Sequence, residues 1–420
     1  MPLRSFVLLA SLISLVACSW KTDAPTDAPT NVTAVPGDGV VLVSWDPLPD
    51  LTYWIFYAAG NAVSADSTSA AIIRNAVAPR VVNGLTNGTQ FAFVMNATHG
   101  SSAAGPASAP VMAIPRLAGT IWDVGAPLTT QNLKALAFNG SRFVVVGDAA
   151  TIFAGDFNYA SSSPNPPGVT AWMPASTLPP GFAANLSGVI VSGGFFAMAT
   201  DGSTIDSADG LTWIAATPIT TVPGTVLNAI AVGPVASASR FVAVGNAGTI
   251  FTSTDALTWS AVTPAVTPND LLSVTFVGGG FIATGANATL LTSANGTDWF
   301  VQNSNAPPTV SLRGAAISAA NPGARFVVVG DAGTILTSPD SLNWSAITLP
   351  GATPDLKSVT AGGATGARYL AVGTGGTAVY SDDATTWTPV ATGATDLASV
   401  FFAPSMYLAV GSAGANAVSK

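Results

Sequence analysis

The chain has 420 residues, with 42 Gly, 30 Pro, a hydrophobic fraction of 49% and only 8% charged residues. All 21 acidic residues are Asp, and there is one His (His99) and one Cys (Cys18). These counts exclude a zinc centre built within the chain and paired-Glu hydrolysis, and leave His99 as the sole base for a Ser-His-Asp or Cys-His arrangement; a formal charge of −8 argues against a nucleic-acid partner.

Residues 1–18 read as a signal peptide. Arg4 supplies the positive start, and the apolar run from Phe6 to Leu15 is too short for a spanning helix, which needs about 20 apolar residues. The run ends in Leu15-Val16-Ala17-Cys18, which resembles the lipobox of bacterial lipoproteins. In that family the Cys thiol receives a diacylglycerol and becomes the new N-terminus, so the resemblance implies lipid attachment at Cys18 and a lipid anchor in the membrane. The absence of a second Cys, and hence of any intrachain disulfide, agrees with that role. Ser19 after the Cys implies the outer membrane, with the chain facing the periplasm or the cell surface.

Residues 19–29 form a polar tether without periodicity. Then come alternating runs bounded by turn residues, at Val40–Ser44, Tyr53–Tyr57 and Gln90–Asn96, which predict short strands of an all-β sandwich. Over residues 30–115 the landmarks resemble a fibronectin type III domain. Pro25 or Pro29 opens it, Trp45 stands at the place of the core Trp, and Leu85–Phe91 leads into the sixth strand. In that family an aromatic hydroxyl at the place of Phe91 bonds back to the backbone, a contact worth about 1 kcal/mol that Phe91 cannot make. Such domains are spacers or adhesive modules. His99, just past the predicted strand, reads as a solvated loop residue.

Beyond Pro115 the sequence repeats. A Leu opens each unit, at Leu133, Leu186, Leu227, Leu271, Leu312, Leu356 and Leu397, and after a first gap of 53 the spacing alternates between 41 and 44. Each Leu is followed by an apolar run, an aromatic-led strand (Arg142-Phe143-Val144-Val145-Val146-Gly147 against Arg325-Phe326-Val327-Val328-Val329-Gly330), a third strand, and a Trp. Those Trp residues are Trp172, Trp213, Trp259, Trp299, Trp344 and Trp387. Four strands per unit at this period predict a β-propeller spanning residues 118–420, with seven blades. Only six Trp residues follow seven Leu starts, so the segment around Trp122 is expected to pair as the outer strand of the last blade and close the ring.

The stretches Ser207–Trp213, Ser253–Trp259, Ser293–Trp299, Ser338–Trp344 and Ser381–Trp387 resemble the Asp-box repeats of bacterial sialidases and of photosystem II assembly-factor-like propellers, one residue short of the usual motif. Asp209, Asp255, Asn295, Asp340 and Asp383 occupy the Asp place. A carboxylate there accepts backbone N–H bonds within its own turn, so these residues are expected to be structural. Sialidase chemistry, as that family implies, needs three Arg, a Tyr nucleophile and a Glu base, and the chain has no Glu. Arg142, Arg240, Arg325 and Arg368 recur before the second strand, each placed to reach an Asp-box turn of its own or an adjacent blade; ion pairs such as Arg240 with Asp255 and Arg325 with Asp340 are expected, each worth about 0–1 kcal/mol.

Two places could hold a ligand. The turns after the second strands carry Asp148, Asp201, Asn246, Asn287, Asp331, Thr374 and Ser412, a mildly acidic ring around the channel mouth suited to a cationic or hydroxyl-rich ligand. The insertion from Ala154 to Val169 carries Phe157 and Tyr159, aromatic candidates for stacking on a sugar or a partner. No cofactor and no metal site is expected, and a monomer is expected. The resulting reading is a non-catalytic envelope lipoprotein serving as a protein-binding scaffold or assembly factor. A carbohydrate-binding surface module is the second reading, and a glycan-cleaving enzyme relying on Asp alone is the third.

Overall fold

The computed structural model describes residues 23–420 apart from 101–103, 159–167, 170, 221, 237, 319–324, 350, 352–353, 364–367 and 404–405. The signal peptide, Cys18, the start of the tether and Tyr159 lie outside the described residues. The described residues form β-strands and four single-turn 3-10 segments, and no α-helix. They divide into two compact units: Met1–Val32, Ser44–Ala78 and Phe91–Met112 in one, and Thr33–Val43, Pro79–Gln90 and Ala113–Lys420 in the other.

The first unit holds one antiparallel sheet in the order Ala71–Ala76, Thr52–Ala59, Phe91–Thr98, Val111–Ala113. Alternation puts Tyr53 and Ile55 in the core, and the Trp45 ring packs 5.3 Å from that of Tyr53. The second unit contains a three-stranded sheet, Thr33–Gly37, Val40–Ser44 and Arg80–Asn83, and then the repeats.

Each repeat folds as an antiparallel meander that begins at its Leu. The Leu312 sheet is representative: Leu312–Ile317, Phe326–Gly330, Ile335–Ser338 and Ser345–Ile347, in that spatial order. The Leu133, Leu186, Leu227, Leu271, Leu356 and Leu397 sheets repeat the pattern. The opening Leu residues are 0–1% exposed in every case. The second strands are β-branched and aromatic runs buried on both faces, such as Val327-Val328-Val329, because a sheet lies on either side of them. First strands touch in succession from the Leu133 sheet to the Leu397 sheet, and the latter touches the Leu133 sheet. The arrangement is a β-propeller.

Asp123–Val124 pairs antiparallel with Asn416–Ser419, matching Val124 to Ala417 and Asp123 to Val418, so the expected pairing of the segment around Trp122 with the Leu397 sheet is present. The Gly119 N–H donates to Ser419 Oγ at 2.8 Å, the Ser419 hydroxyl donates to the Ile121 carbonyl, and Asn416 Nδ2 donates to the Ala126 carbonyl at 2.7 Å.

Each gap between neighbouring sheets holds one Trp. Trp213 packs with residues of the Leu133 and Leu186 sheets, Trp259 between the next two, and Trp299, Trp344 and Trp387 in the gaps that follow. Trp122 packs between the Leu356 and Leu397 sheets, and Trp172 between the Leu397 and Leu133 sheets. The indole of Trp122 donates to the Gly119 carbonyl at 3.2 Å, three residues back, as Trp213 does to Gly210 and Trp299 to Gly296 at 3.1 Å.

One glycine position is fixed by crowding. In six sheets the residue paired with the opening Leu is Gly, and a Cβ at Gly147, Gly245, Gly285, Gly330, Gly373 or Gly411 would lie 1.9–2.3 Å from the carbonyl oxygen of the residue before that Leu. The chains approach because the residue after the Gly donates its N–H to that same carbonyl, as Asp331 does to Ser311 at 2.9 Å. The Gly backbone is extended (φ −165° at Gly330), so space and not a positive φ dictates the residue. Two positions on, Ala332 does sit at φ 52°, where the Leu356 sheet uses Gly375.

Substitutions two residues apart should therefore act in opposite directions. Gly330→Ala is expected to cost about 1–3 kcal/mol by overpacking, whereas Ala332→Gly is expected to stabilise by about 0.5–1 kcal/mol by relieving the left-handed Ala. Urea unfolding midpoints at constant slope check both.

Candidate functional site

The residue after each repeat Leu points toward the middle of the propeller. Lys134, Ser187, Asn228, Leu272, Arg313, Lys357 and Ala398, one from each first strand, line a cavity of about 480 Å³. With Thr200, Thr374, Asp396 and Ser412 they also border a mouth of about 380 Å³ on the side of the second-to-third-strand turns.

The predicted ring residues are held in this region by specific partners. Asp148 is ion-paired with Lys134 and accepts from Asn132 Nδ2 at 3.0 Å. Asp331 receives a two-pronged contact from Arg313, through Nε and through Nη2 at 3.0 Å, with Lys357 Nζ at 3.6 Å. Asn246 accepts from Asn228 Nδ2, and Asn287 donates to Asn269, both at 2.9 Å. Asp201 turns back on Ser203, accepting from its N–H and hydroxyl at 2.9 and 2.6 Å. Burial pushes the Asp331 carboxyl upward, but the Arg313 hydrogen bond and the Arg313 and Lys357 charges outweigh it and hold the group below its ordinary range.

The ring is thus not simply acidic. Three cations, Lys134, Arg313 and Lys357, stand in the same mouth and compensate Asp148, Asp331 and Asp355. Sequence reading missed them although the signal was present: they occupy one repeat position, directly after Leu133, Leu312 and Leu356. It also missed the residue before the Leu. There Asn185, Asp270, Asp355, Asp396 and Asn132 each accept, at 2.7–3.1 Å, the turn N–H of the neighbouring sheet, from Ala149, Ala247, Ala332, Gly375 and Ala413 respectively. These bonds fix the mouth loops to one another.

The opposite face carries the Ser-x-Asp turns. Asp209 Oδ1 accepts from the N–H groups of Leu211 and Thr212 at 2.8 Å and from the Ser207 hydroxyl at 3.0 Å. Asp255, Asp340 and Asp383 repeat this, and Asn295 does so with its amide oxygen, accepting from Thr297 and Asp298 at 2.9 and 2.8 Å. These bonds favour the charged form: backbone N–H donors hold the Asp209, Asp255 and Asp340 carboxyls below their ordinary value, and at Asp383 such donors overcome the opposing effect of burial.

The arginines depart from expectation. Neither Arg240 with Asp255 nor Arg325 with Asp340 forms an ion pair, because those carboxylates are occupied by their own turns. The Arg240 stem instead runs to the next sheet, where a Cβ on Gly296 would meet its Cγ at 2.8 Å. Arg142 pairs with Asp156 at 2.6 Å, and Arg368, 4% exposed, pairs with Asp382 through Nε and Nη2 at 2.8 Å. The insertion begins later than expected. The third strand of the Leu133 sheet continues through Ile152–Asn158, and Gly168–Val169 pairs back on it. Phe157 lies half-buried against Phe138 and Phe143, with ring centroids at 5.5 and 6.1 Å, rather than at an open tip. His99 Nδ1 lies 3.3 Å from the Asp50 carbonyl.

No family model matches the chain, and no curated protein does. Solved structures share the fold. YCF48 bound to D1 peptide aligns at a TM-score of 0.53 and 17% identity over 71% of this chain and 96% of that one. YCF48 from Cyanidioschyzon merolae gives 0.52 and 16%, over 71% and 98%. A virginiamycin B lyase from Staphylococcus aureus gives 0.57 and 10%, over 71% and 99%. At these identities the likeness is one of propeller architecture.

The turn carboxylates make a pH prediction with a definite sign. Their folded pKa values are depressed, so their contribution is complete above the unfolded value of about 3.9 and is lost as pH falls through the folded values. Replacing Asp255, Asp340 and Asp383 together by Asn, as Asn295 already stands in the third of the five turns, should lower stability at pH 7 and flatten its decline below about pH 4. Urea unfolding from pH 2.5 to 7 reads this out.

Proposed function

We propose that the chain is a non-catalytic lipoprotein of the bacterial envelope that binds protein partners through a seven-bladed propeller. The blade count is supported by the Leu-led sheets touching in a ring, and by the Trp in every gap, with Trp122 taking the part of the absent seventh repeat Trp. The strand orders of the two N-terminal sheets, three and four strands, support a fibronectin type III-like module over residues 30–115 acting as a spacer. Export and anchoring rest on Leu15-Val16-Ala17-Cys18, with the outer membrane as destination.

The observation that carries the binding role is the mouth. Every first strand contributes a residue, and Lys134, Asn228, Arg313 and Lys357 are fixed by charged and amide partners before any ligand arrives, which lowers the ordering cost of association. A propeller neighbour bound to a peptide supports polypeptide as the ligand class.

Chemical cross-linking of the full-length chain in its native envelope, followed by affinity capture, tests the role. A protein partner is expected, with recovery falling at least fivefold in a Lys134→Ser, Lys357→Ser double variant, Ser being the residue the Leu186 sheet carries at that place. Equal recovery from the variant, or glycan-array binding without protein capture, would reject it. Cys18→Ala should move the chain from the membrane to the soluble fraction on fractionation. Trp122→Ala should cost about 2–4 kcal/mol in urea unfolding if this residue closes the ring.

A further inference from the structure

The position just before the aromatic of each second strand is Arg142, Gly194, Arg240, Gly280, Arg325, Arg368 and Met406 in successive sheets. Three of the arginines cross the gap to the next sheet. Arg142 Nη1 donates to the Asp209 carbonyl at 2.5 Å, and Arg368 Nη1 to the Ala118 carbonyl at 2.7 Å, each carbonyl lying four residues before the Trp of its gap. The Arg240 stem packs against Gly296, three residues before Trp299.

Where Gly stands instead, the gap is open. A cavity of about 510 Å³ lies at Gly194 and one of about 300 Å³ at Gly280. The two differ in one residue of consequence. On the third strand the position facing the Gly280 cavity is Thr292, and the equivalent in the Gly194 cavity is Asp206. Asp206 is half-buried between Phe196 and Ile214 of the flanking strands, and it has no hydrogen-bond or ion-pair partner among the described residues. No Lys or Arg lines the cavity among the described residues. Burial raises the Asp206 carboxyl, the state of a carboxylate that gains from an arriving cation. Asp255 forms the far wall, and its carbonyl is four residues before Trp259, the place where Arg142 and Arg368 find their acceptors. Ile214 and Leu257 stand 65% and 59% exposed at the rim.

We propose that the cleft between the Leu186 and Leu227 sheets accepts an arginine side chain of a partner polypeptide, its guanidinium taking the place that Arg142 and Arg368 fill in other gaps. A planar guanidinium can donate to the Asp206 carboxylate and the Asp255 carbonyl together, which an ammonium cannot do with the same geometry. Ile214 and Leu257 then cover apolar neighbours of that arginine. The inference rests on the reading of the propeller as a polypeptide binder, and adds the chemistry of the partner and a second binding face.

The test titrates a fluorescein-labelled peptide, Gly-Leu-Arg-Leu-Gly, into the full chain, beside the same peptide with neutral citrulline for arginine. Asp206→Thr supplies the protein arm, since Thr252, Thr292 and Thr337 hold that position in other sheets. Binding of the arginine peptide is expected, weakened at least tenfold by citrulline and by Asp206→Thr, with the methyl resonances of Ile214 and Leu257 shifting on titration. No binding, equal binding of citrulline, or unchanged binding by Asp206→Thr would overturn the proposal. Envelope capture run alongside separates the failures: partners captured while the peptide ignores the cleft remove this site alone, and no capture by the wild-type chain removes the protein-binding reading as well.

Discussion

The structure depends on filling the wedge between adjacent sheets. A four-stranded meander with both faces apolar cannot be stable alone, and its neighbours must supply the second wall of each core. The repeat meets this demand with a fully buried Leu at the start of the first strand and an indole delivered by the turn before the fourth. The indole is large enough to span the widening gap, and its N–H finds a carbonyl three residues back in four of the five Asp-box turns. Trp387 is the exception, with Nε1 buried and no protein partner. The polar bonds at the mouth then lock what the apolar contacts bring together.

With so few charges, most of those in the repeats have a local task. The Asp carboxylates accept backbone N–H groups within a turn or across to the next sheet. Arg142 and Arg368 each pair with a carboxylate of their own sheet and reach over the gap to a carbonyl of the next. Apart from that of the buried Arg368, these contacts lie at the rims, where exposure limits the worth of an ion pair, so they set loop geometry more than they set stability. The clusters between the sheets are built from apolar side chains, in keeping with 49% hydrophobic residues in the chain, and Arg368 is an exception as a buried charge held by Asp382.

Much of this was legible in the sequence because burial repeats with the period of the fold. The Leu and Trp positions, the strand order and the pairing of the Trp122 segment all follow from counting apolar residues against a fixed spacing. What failed to read out depends on direction and reach. The arginines were expected at an Asp-box turn of their own or an adjacent blade; Arg142 reaches the adjacent turn through a backbone carbonyl, and the pairs named for Arg240 and Arg325 do not form, a choice that sequence spacing does not encode. Lys134, Arg313 and Lys357 share one repeat position, but their meeting at one mouth follows from the convergence of the first strands, which spacing alone does not show. The recurring Gly that ends the second strand is set by crowding against a carbonyl, which the sequence pattern alone does not reveal. Phe157 looked like a loop tip because an insertion was visible and the continuation of the strand beneath it was not.

The seam between Asp123–Val124 and Asn416–Ser419 joins residues nearly 300 positions apart, as the bond from Gly119 to Ser419 makes plain. Such a joint cannot form while the polypeptide is still emerging, and closing so long a loop carries an entropic toll that neighbouring sheets do not incur. The Leu397 sheet therefore gains its fourth strand from a contact between segments far apart in the sequence. Until then the Leu397 meander presents the open margin of Asn416–Ser419, the kind of edge along which strands of separate molecules can join.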